Sequence, residues 1–332
     1  MFLAATGVSY LLTKLVYGYA LKAQWLDVPN TRSSHVLPTP RGGGIGIVIV
    51  SALAVLAAAA VDFIDWRLAM ALTGGGTAVA FIGFLDDRRS TPVRIRMAVH
   101  AAAALWSVCW LGGLAPLQVG QHVVDLGLLG DVLAVLAIIW VLNLFNFMDG
   151  IDGIAGSEAA FMGVAGAGLA GYVGASGGVC AGALLIAAGS LGFLAWNWPP
   201  AKIFMGDVGS GYLGFAFAVL ALAQQRDTPV AAFVWLILGG VFFCDATTTL
   251  ARRLLRNQRV YEAHRSHAYQ WLARRWGSHR RVTLTALGVN ALWLLPCATL
   301  AILKPEWAAW LTVGALAPIT LAAIAIGAGR DS

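Results

Sequence analysis

The chain has 332 residues, 59% of them hydrophobic and only 11% charged, with 39 Gly and a mean hydropathy of +0.76. Ordinary globular proteins carry about 25% charged residues, and apolar runs of roughly twenty residues recur here from end to end, which excludes a soluble multidomain enzyme. The formal net charge of +6 raises nucleic acid as a partner, but basic residues gathered between apolar spans report membrane orientation instead, and no nucleic-acid role is expected.

About eleven membrane-spanning helices are predicted, near residues 2–22, 43–61, 67–85, 98–113, 129–147, 156–174, 178–196, 210–225, 230–250, 282–303 and 308–328. The expected fold is an all-α, polytopic integral membrane domain over residues 1–332, with the lipid bilayer as its surroundings. The first span starts at Met1 without a basic region or a small-residue cleavage site, so it reads as a retained helix. Cys109, Cys180, Cys244 and Cys297 all lie in apolar runs, as buried thiols do, and suggest neither a disulfide framework nor a zinc site.

Alternate connections carry nearly all the cations: Lys22, Arg32 and Arg41; then Arg88, Arg89, Arg94 and Arg96; then Lys202; then nine arginines between Arg252 and Arg281. The other side carries only Arg67, Arg226 and Lys304. This asymmetry predicts basic loops in the cytoplasm, the N-terminus outside and the C-terminus inside. Trp66, Trp307 and Trp310 suit interfacial anchoring on the outer side.

The first basic loop, 27–44, reads DVPNTRSSHVLPTPRGGG. Pro29, Pro38 and Pro40 forbid a continuous helix, while Arg32, His35 and Arg41 offer cationic or hydrogen-bonding groups. Basic topology alone accounts for the arginines; the proline and glycine punctuation points further, to a shaped, ligand-facing loop. The second, 86–97, opens with the adjacent carboxylates Asp86 and Asp87, best tolerated beside cations or a metal. A solvated helix end neutralised by Arg88 and Arg89 is the plainer reading. Arg94 and Arg96 follow at a spacing that can reach phosphate oxygens.

The third, 143–156, opens NLFNFMDGIDG and places Asn143, Asn146, Asp149 and Asp152 within ten positions. Acids at the end of a membrane-like segment are expensive and rarely accidental. The fourth, 197–211, sets Asp207 between Gly206 and Gly209 before another span, where backbone N–H groups suit phosphate. The fifth, 251–281, is the longest and most basic and contains His264, Arg265 and His267. A metal pair and anion contacts to a phosphorylated substrate are both open there. Asp245, inside the ninth span, is expected to pair with a nearby arginine or to line the site.

Clustered acids, Gly-rich turns and arginines suit a Mg²⁺-dependent phosphate site, with Mn²⁺ as the alternative ion; Mg²⁺ takes one or two carboxylates plus phosphate oxygens and water. Neither a Walker pattern nor a Rossmann fingerprint is present. A site at the membrane face suits one water-soluble phosphorylated substrate and one lipid.

The set DVPN…H…PTPRGGG, FLDDR, NLFNFMDGIDG and NWPPAKIFMGDVGSG, with the late histidine loop, resembles the polyprenyl-phosphate N-acetylhexosamine-1-phosphate transferase family over almost the whole chain. The resemblance implies a bacterial inner-membrane enzyme with its active site on the cytoplasmic face. It would move a sugar 1-phosphate from UDP-N-acetylhexosamine to undecaprenyl phosphate, release UMP and admit a homodimer. By the same resemblance Asp86 and Asp87 match the catalytic acid pair and Asp207 the Mg²⁺ ligand, with Asp86 as a second ligand. Asn146, Asp149 and Asp152 match the nucleotide- and sugar-binding stretch, Asn197 and Lys202 the approach to the metal motif, and Asp245 an acid of the ninth helix. Arg41, Arg94, Arg96, Arg265 and His267 complete the expected substrate contacts. Many members carry a His-x-His-His run in the late loop, where this chain has His267-Ala-Tyr-Gln. That departure argues for the branch initiating O-antigen or other surface polysaccharides over the peptidoglycan-precursor branch. A secondary transporter is the rival from another class, but its ionisable groups would sit near the midplane in paired repeats.

Overall fold

The computed structural model describes residues 1–29, 37–258 and 264–330; Arg32, His35 and Arg259 lie outside the described residues. The helices are α1 (Phe2–Lys22), α2 (Gly44–Ala60), α3 (Trp66–Arg88), α4 (Val93–Leu111), α5 (Gly127–Met148), α6 (Ile154–Tyr172) and α7 (Gly177–Asn197). They continue with α8 (Asp207–Gln224), α9 (Ala231–Leu238), α10 (Gly240–Leu255), α11 (Ala268–Trp276), α12 (His279–Leu303) and α13 (Pro305–Ile326). The all-α expectation holds apart from two small antiparallel ladders. Leu26–Asp27 pairs with Thr39–Pro40, and Leu117–Val119 pairs with His122–Val124.

All eleven predicted segments are helical. Seven helices are long and apolar enough to cross a membrane, and the bent pair α9 and α10, at 79°, is an eighth when taken as one span. The other three predicted segments are helical but fall short of that standard. Lys14, the tyrosines and the hydroxyl side chains dilute α1, α2 has only 17 residues, and α4 opens with Arg94, Arg96 and His100.

Burial ranks the helices. In α8, 83% of the apolar window is buried, against 17% in α13, so α8 is the axis of the bundle and α13 its rim. Around α8 the aromatic rings of Phe145, Phe217, Phe242 and Trp235 pack at centroid distances of 5.2–5.8 Å. Trp235 Nε1 donates to Gln224 Oε1 at 2.7 Å, which satisfies the one polar atom of that ring inside the core. Where two helices approach most closely, glycines let the backbones meet. A Cβ on Gly83 of α3 would lie 2.5 Å from the Asp207 carbonyl oxygen of α8. That closeness is what brings the end of α3, with its two acids, against the start of α8.

The turns after α3, α5, α7 and α10 all meet at one end of the bundle, together with Arg41. The C-terminal turn reaches the same end, where the Gly329 amide donates to Ser266 O at 2.8 Å. Loops that alternate along the sequence therefore share one face in space.

Candidate active site

Asp87 is the keystone of this face. Its carboxylate is wholly inaccessible and caps a helix to which it does not belong. Oδ1 accepts from the Asp207 amide at 2.9 Å and Oδ2 from the Val208 amide at 3.2 Å, the first free N–H groups of α8. Gly206, at φ +78°, is required there, because a Cβ would fall 2.4 Å from Asp87 Oδ2. Arg41 Nε sits 3.0 Å from Asp87 Oδ1, and its Nη2 lies 3.3 Å from Asp207 Oδ1. Trp25 steadies the same corner, donating from Nε1 to the Asp87 carbonyl at 3.2 Å.

Asp86 faces the other way. Its Oδ1 accepts from the Thr91 amide at 2.6 Å, and its Oδ2 contacts Arg96 Nη1. The same Nη1 lies 3.5 Å from Asp207 Oδ2. Arg96 Nη1 thus bridges the carboxyls of Asp86 and Asp207. Asn146 joins from α5, donating to Ser210 Oγ at 3.1 Å and interacting with Asp207. Burial pushes the Asp149 carboxyl well above the usual carboxylate range; Asp207, Asp87 and Asp152 add to this, while Arg41 opposes it. Burial works against the charge of Arg41, but Asp87, Asp207, Asp27 and Asp149 outweigh it and raise its pKa.

Seven predicted residues thus converge: Arg41, Asp86, Asp87, Arg96, Asn146, Asp149 and Asp207. The rest lie around them. Asn197 is committed to backbone, accepting from the Gly153 amide and donating to Ile203 O, both at 2.9 Å. It ties the turn after α5 to the turn after α7. Asp152 accepts from the Ala201 amide at 3.1 Å and stands 3.3 Å from His279 Nδ1. Lys202 is exposed, its ammonium 5.3 Å from the centre of the Trp196 ring, and Arg94 is exposed.

Two cavities flank the cluster. One, of about 340 Å³, has Arg96, His100, Asn143, Asn146 and Asp207 at its head and an apolar wall that includes Val79, Ile82, Leu136, Ile139, Trp140 and Leu250. The other, of about 540 Å³, is open and polar, lined by Asp152, Pro200, Arg265, Arg274, His279 and Arg280. Arg265 therefore lines the same cavity as Asp152.

The late loop is built differently. Asp245 Oδ1 accepts from the Ala268 amide at 2.9 Å and from Thr249 Oγ1 at 3.0 Å, and lies 3.3 Å from His267 Nδ1. Its Oδ2 accepts from the Tyr269 amide at 2.9 Å. The expected arginine partner for Asp245 is corrected here: the N-terminus of α11 and the His267 ring take that place, since free helical N–H groups attract a carboxylate as a cation does. His267 is buried beneath Phe147, His264 and Tyr269. Tyr269 and Gln270, which stand in place of histidines, have structural work: Tyr269 donates its hydroxyl to Phe147 O at 3.0 Å, and Gln270 Oε1 accepts from the His267 amide at 3.3 Å. Gly150 leaves room for that hydroxyl, which would be 2.1 Å from a Cβ.

Sequence reasoning passed over Trp25, His100 and the bracing role of Tyr269. Only His100 had a legible signal: it follows Arg96 by four residues, one helical turn along the same face.

Comparison with known proteins agrees with this geometry. Residues 68–225 match the family model described as glycosyl transferase family 4. The probable undecaprenyl-phosphate N-acetylglucosaminyl 1-phosphate transferase of Bacillus subtilis is 28% identical over 285 residues, covering 82% of this chain and 76% of that protein. The decaprenyl-phosphate N-acetylglucosaminephosphotransferase of Mycobacterium leprae is 26% identical, covering 85% and 78%. Across most of its length the chain is similar to polyprenyl-phosphate N-acetylglucosamine-1-phosphate transferases, and its residues 68–225 carry the glycosyl transferase family 4 match. A phospho-N-acetylmuramoyl-pentapeptide-transferase of Nostoc punctiforme is 46% identical, but over 67 residues only, 20% of this chain. The family's transferase assignment and the convergence of the acids come from independent observations, one from sequence likeness and one from geometry.

Proposed function

We propose that this transferase moves N-acetylhexosamine 1-phosphate from a UDP-sugar to a polyprenyl phosphate such as undecaprenyl phosphate, releasing UMP, on the cytoplasmic face of a bacterial inner membrane. The observation that carries this reading is the first cavity, in which an apolar wall leads to Arg96, Asn146 and Asp207. It suits a substrate that is a hydrocarbon with an anionic head. The relatives named above for undecaprenyl and decaprenyl phosphate support the same lipid class.

In the proposed reaction an oxygen of the lipid phosphate attacks the β-phosphorus of the donor. A P–O bond forms, the bond to the bridging oxygen breaks, and UMP leaves with that oxygen. The lipid phosphate is already a competent nucleophile at neutral pH, so an aspartyl intermediate has little to add. Asp87 is a positioning residue in this scheme, since its oxygens are engaged by the start of α8 and by Arg41. Asp86, beside Arg96, receives or orients the proton of the incoming phosphate. Arg41 and Arg96 neutralise the donor diphosphate.

Asp207 and Asp86 would hold Mg²⁺. Their carboxyls, both bonded to Arg96 Nη1, are a suitable donor set, because Mg²⁺ uses one or two carboxylates and completes its shell with phosphate and water. No group of three or more His, Cys, Asp or Glu suited to a metal occurs among the described residues, which disfavours a Zn²⁺-type cage. When bound, the ion supplies positive charge to the transferring phosphoryl group.

The donor sugar is assigned to the side of Asp152, Arg265 and His279, where the second cavity opens. We place the chain in the branch that initiates O-antigen or other surface polysaccharides. That placement is supported by the structural use of Tyr269 and Gln270 where the peptidoglycan-type pattern has histidines, and by the short extent of the Nostoc match.

The deciding assay is UMP release with a panel of UDP-sugars, with and without polyprenyl phosphate. Release that requires both substrates is expected; release indifferent to the lipid overturns the reading. Labelled UMP entering UDP-sugar on lipid-stripped enzyme, and lost in Asp86→Asn, would replace direct attack by a covalent route. Orientation is tested by cysteines at Ser90 and Gln121, both exposed: only the second should react with an impermeant thiol reagent in intact cells.

A further inference from the structure

Glu158 lies in the second turn of α6, 2% exposed, and Asn290 of α12 is wholly buried beside it. Asn290 Nδ2 donates to Glu158 Oε2 at 2.5 Å. The other oxygen of each group, Glu158 Oε1 and Asn290 Oδ1, is inaccessible and has no hydrogen-bond partner among the described residues. Both orphaned atoms are acceptors if the glutamate is ionised, and no charged side chain acts on it among the described residues. An ionised carboxylate inside a membrane-like bundle is costly without a cation, and two unpaired buried acceptors add to that cost. One proton on Oε1 removes all of these penalties. A carboxylic acid and a primary amide close a ring of two hydrogen bonds: the amide N–H meets the acid carbonyl, and the acid O–H meets the amide carbonyl. The first of those bonds is in place.

The same face of α12 runs on to the donor side of the site. His279, Thr283, Ala286 and Asn290 follow one another at helical spacing and form one stripe. His279 Nδ1 stands 3.3 Å from Asp152 Oδ1, and Thr283 Oγ1 donates to the Asp152 carbonyl at 3.0 Å. Asp152 is joined to Glu158 by the start of α6, where Gly153 turns in the left-handed region at φ +77° and the helix begins at Ile154. Asn290 also opens the π-turn Asn290–Leu294, a kind of widened turn frequent at functional positions in helices.

We infer that Glu158 keeps its proton, and that its acid–amide pair with Asn290 clamps α12 to α6 and so holds Asp152 and His279 in register on the donor side. The donor part rests on the transfer reading above; the pair itself does not. Neither residue touches substrate in this scheme, so their part is positioning.

Two measurements test the clamp. The first is the infrared difference between wild type and Glu158→Gln in membranes near neutral pH. A carboxylic-acid C=O band present in wild type and missing from the variant is expected; a carboxylate band in its place overturns the inference. The second compares variants. Glu158→Gln exchanges an acid–amide pair for an amide–amide pair and keeps both hydrogen bonds, so the unfolding temperature in detergent and both KM values should stay as in wild type. Asn290→Leu removes the partner at similar size. Its unfolding temperature should fall, and its KM for the UDP-sugar should rise about fivefold, the low end of the cost of an unpaired buried polar atom. Its KM for polyprenyl phosphate should stay unchanged. Glu158→Gln as unstable as Asn290→Leu, or a KM change in Asn290→Leu that is shared equally by both substrates or absent from both, overturns the inference. Where Asn290→Leu does not fold, the infrared band and the kinetics of Glu158→Gln decide. The infrared and unfolding measurements need no turnover: if both come out as expected while no UDP-sugar is consumed, the transfer reading fails and the clamp stands.

Discussion

Two acid-centred regions share one end of the bundle and use the same residue types to opposite ends. Around Asp207, carboxylates from α3 and α8 are bridged by Arg41 and Arg96; Asp86 and Asp207 are partly accessible, and Asp207 borders a cavity. Around Asp245, one carboxylate accepts from two amides and a hydroxyl and meets a buried His267. The first region leaves unfilled bonding capacity facing space; the second has spent it on the start of α11. Aspartate, histidine and arginine near a membrane face therefore do not by themselves mark chemistry. Whether their bonds are already used decides it.

The largest expected effect tests the open region. Asp207→Asn keeps the size of the side chain but removes the charge on which a cation and Arg96 both depend. Turnover should drop by roughly a thousandfold, as for loss of a key electrostatic group, with the protein still in the membrane. Near-normal activity in that variant, or full activity after chelation, would erase the distinction between the regions.

The closed region should answer in stability first. Asp245→Asn weakens the cap on α11 and the contact to His267, at a cost of roughly 2 kcal/mol, the scale of hydrogen bonds to a charged group. A lowered unfolding temperature in detergent, with protease sensitivity near residues 264–276, is expected. An unchanged melting curve with lost turnover would move Asp245 into the chemistry.

Smaller still is Tyr269→Phe, which removes only the hydroxyl bonded to Phe147 O. About 1 kcal/mol is at stake, read as a several-fold lower kcat because the turn carrying Asp149 loosens. Identical kinetics would show that the closed region does not support the open one.

The gentlest probe is pH. Burial first, then His267 and Arg253, hold the His264 pKa down at about 3, with Asp245 partly opposing them. An unfolded histidine titrates near 6.5. As pH falls from about 6.5, the unfolded chain takes up a proton that folded His264 refuses, so stability declines toward pH 3. His264→Asn should flatten that decline, measured as unfolding temperature against pH. A variant with the same slope as wild type would locate the acid sensitivity elsewhere.

The sequence by itself determined the class of protein, the helical positions and the grouping of five polar loops on one side. Hydrophobic length and charge asymmetry are local, additive properties, so a single chain displays them. Each of the eleven predicted segments is helical, and α1 and α4 differ from the seven most apolar helices in their polar content. The individual roles of the acids were not legible. Asp86 and Asp87 are neighbours in sequence, yet a rotation of about 100° per helical residue sends one to Arg96 and the other to the start of α8, 120 residues away. His267 was legible as a polar residue of the late loop, but its contact with Asp245, 22 residues earlier, was not. Hydrogen-bond saturation is a property of groups that meet only after folding, and so which acids have their bonds already used was decided by the tertiary structure alone.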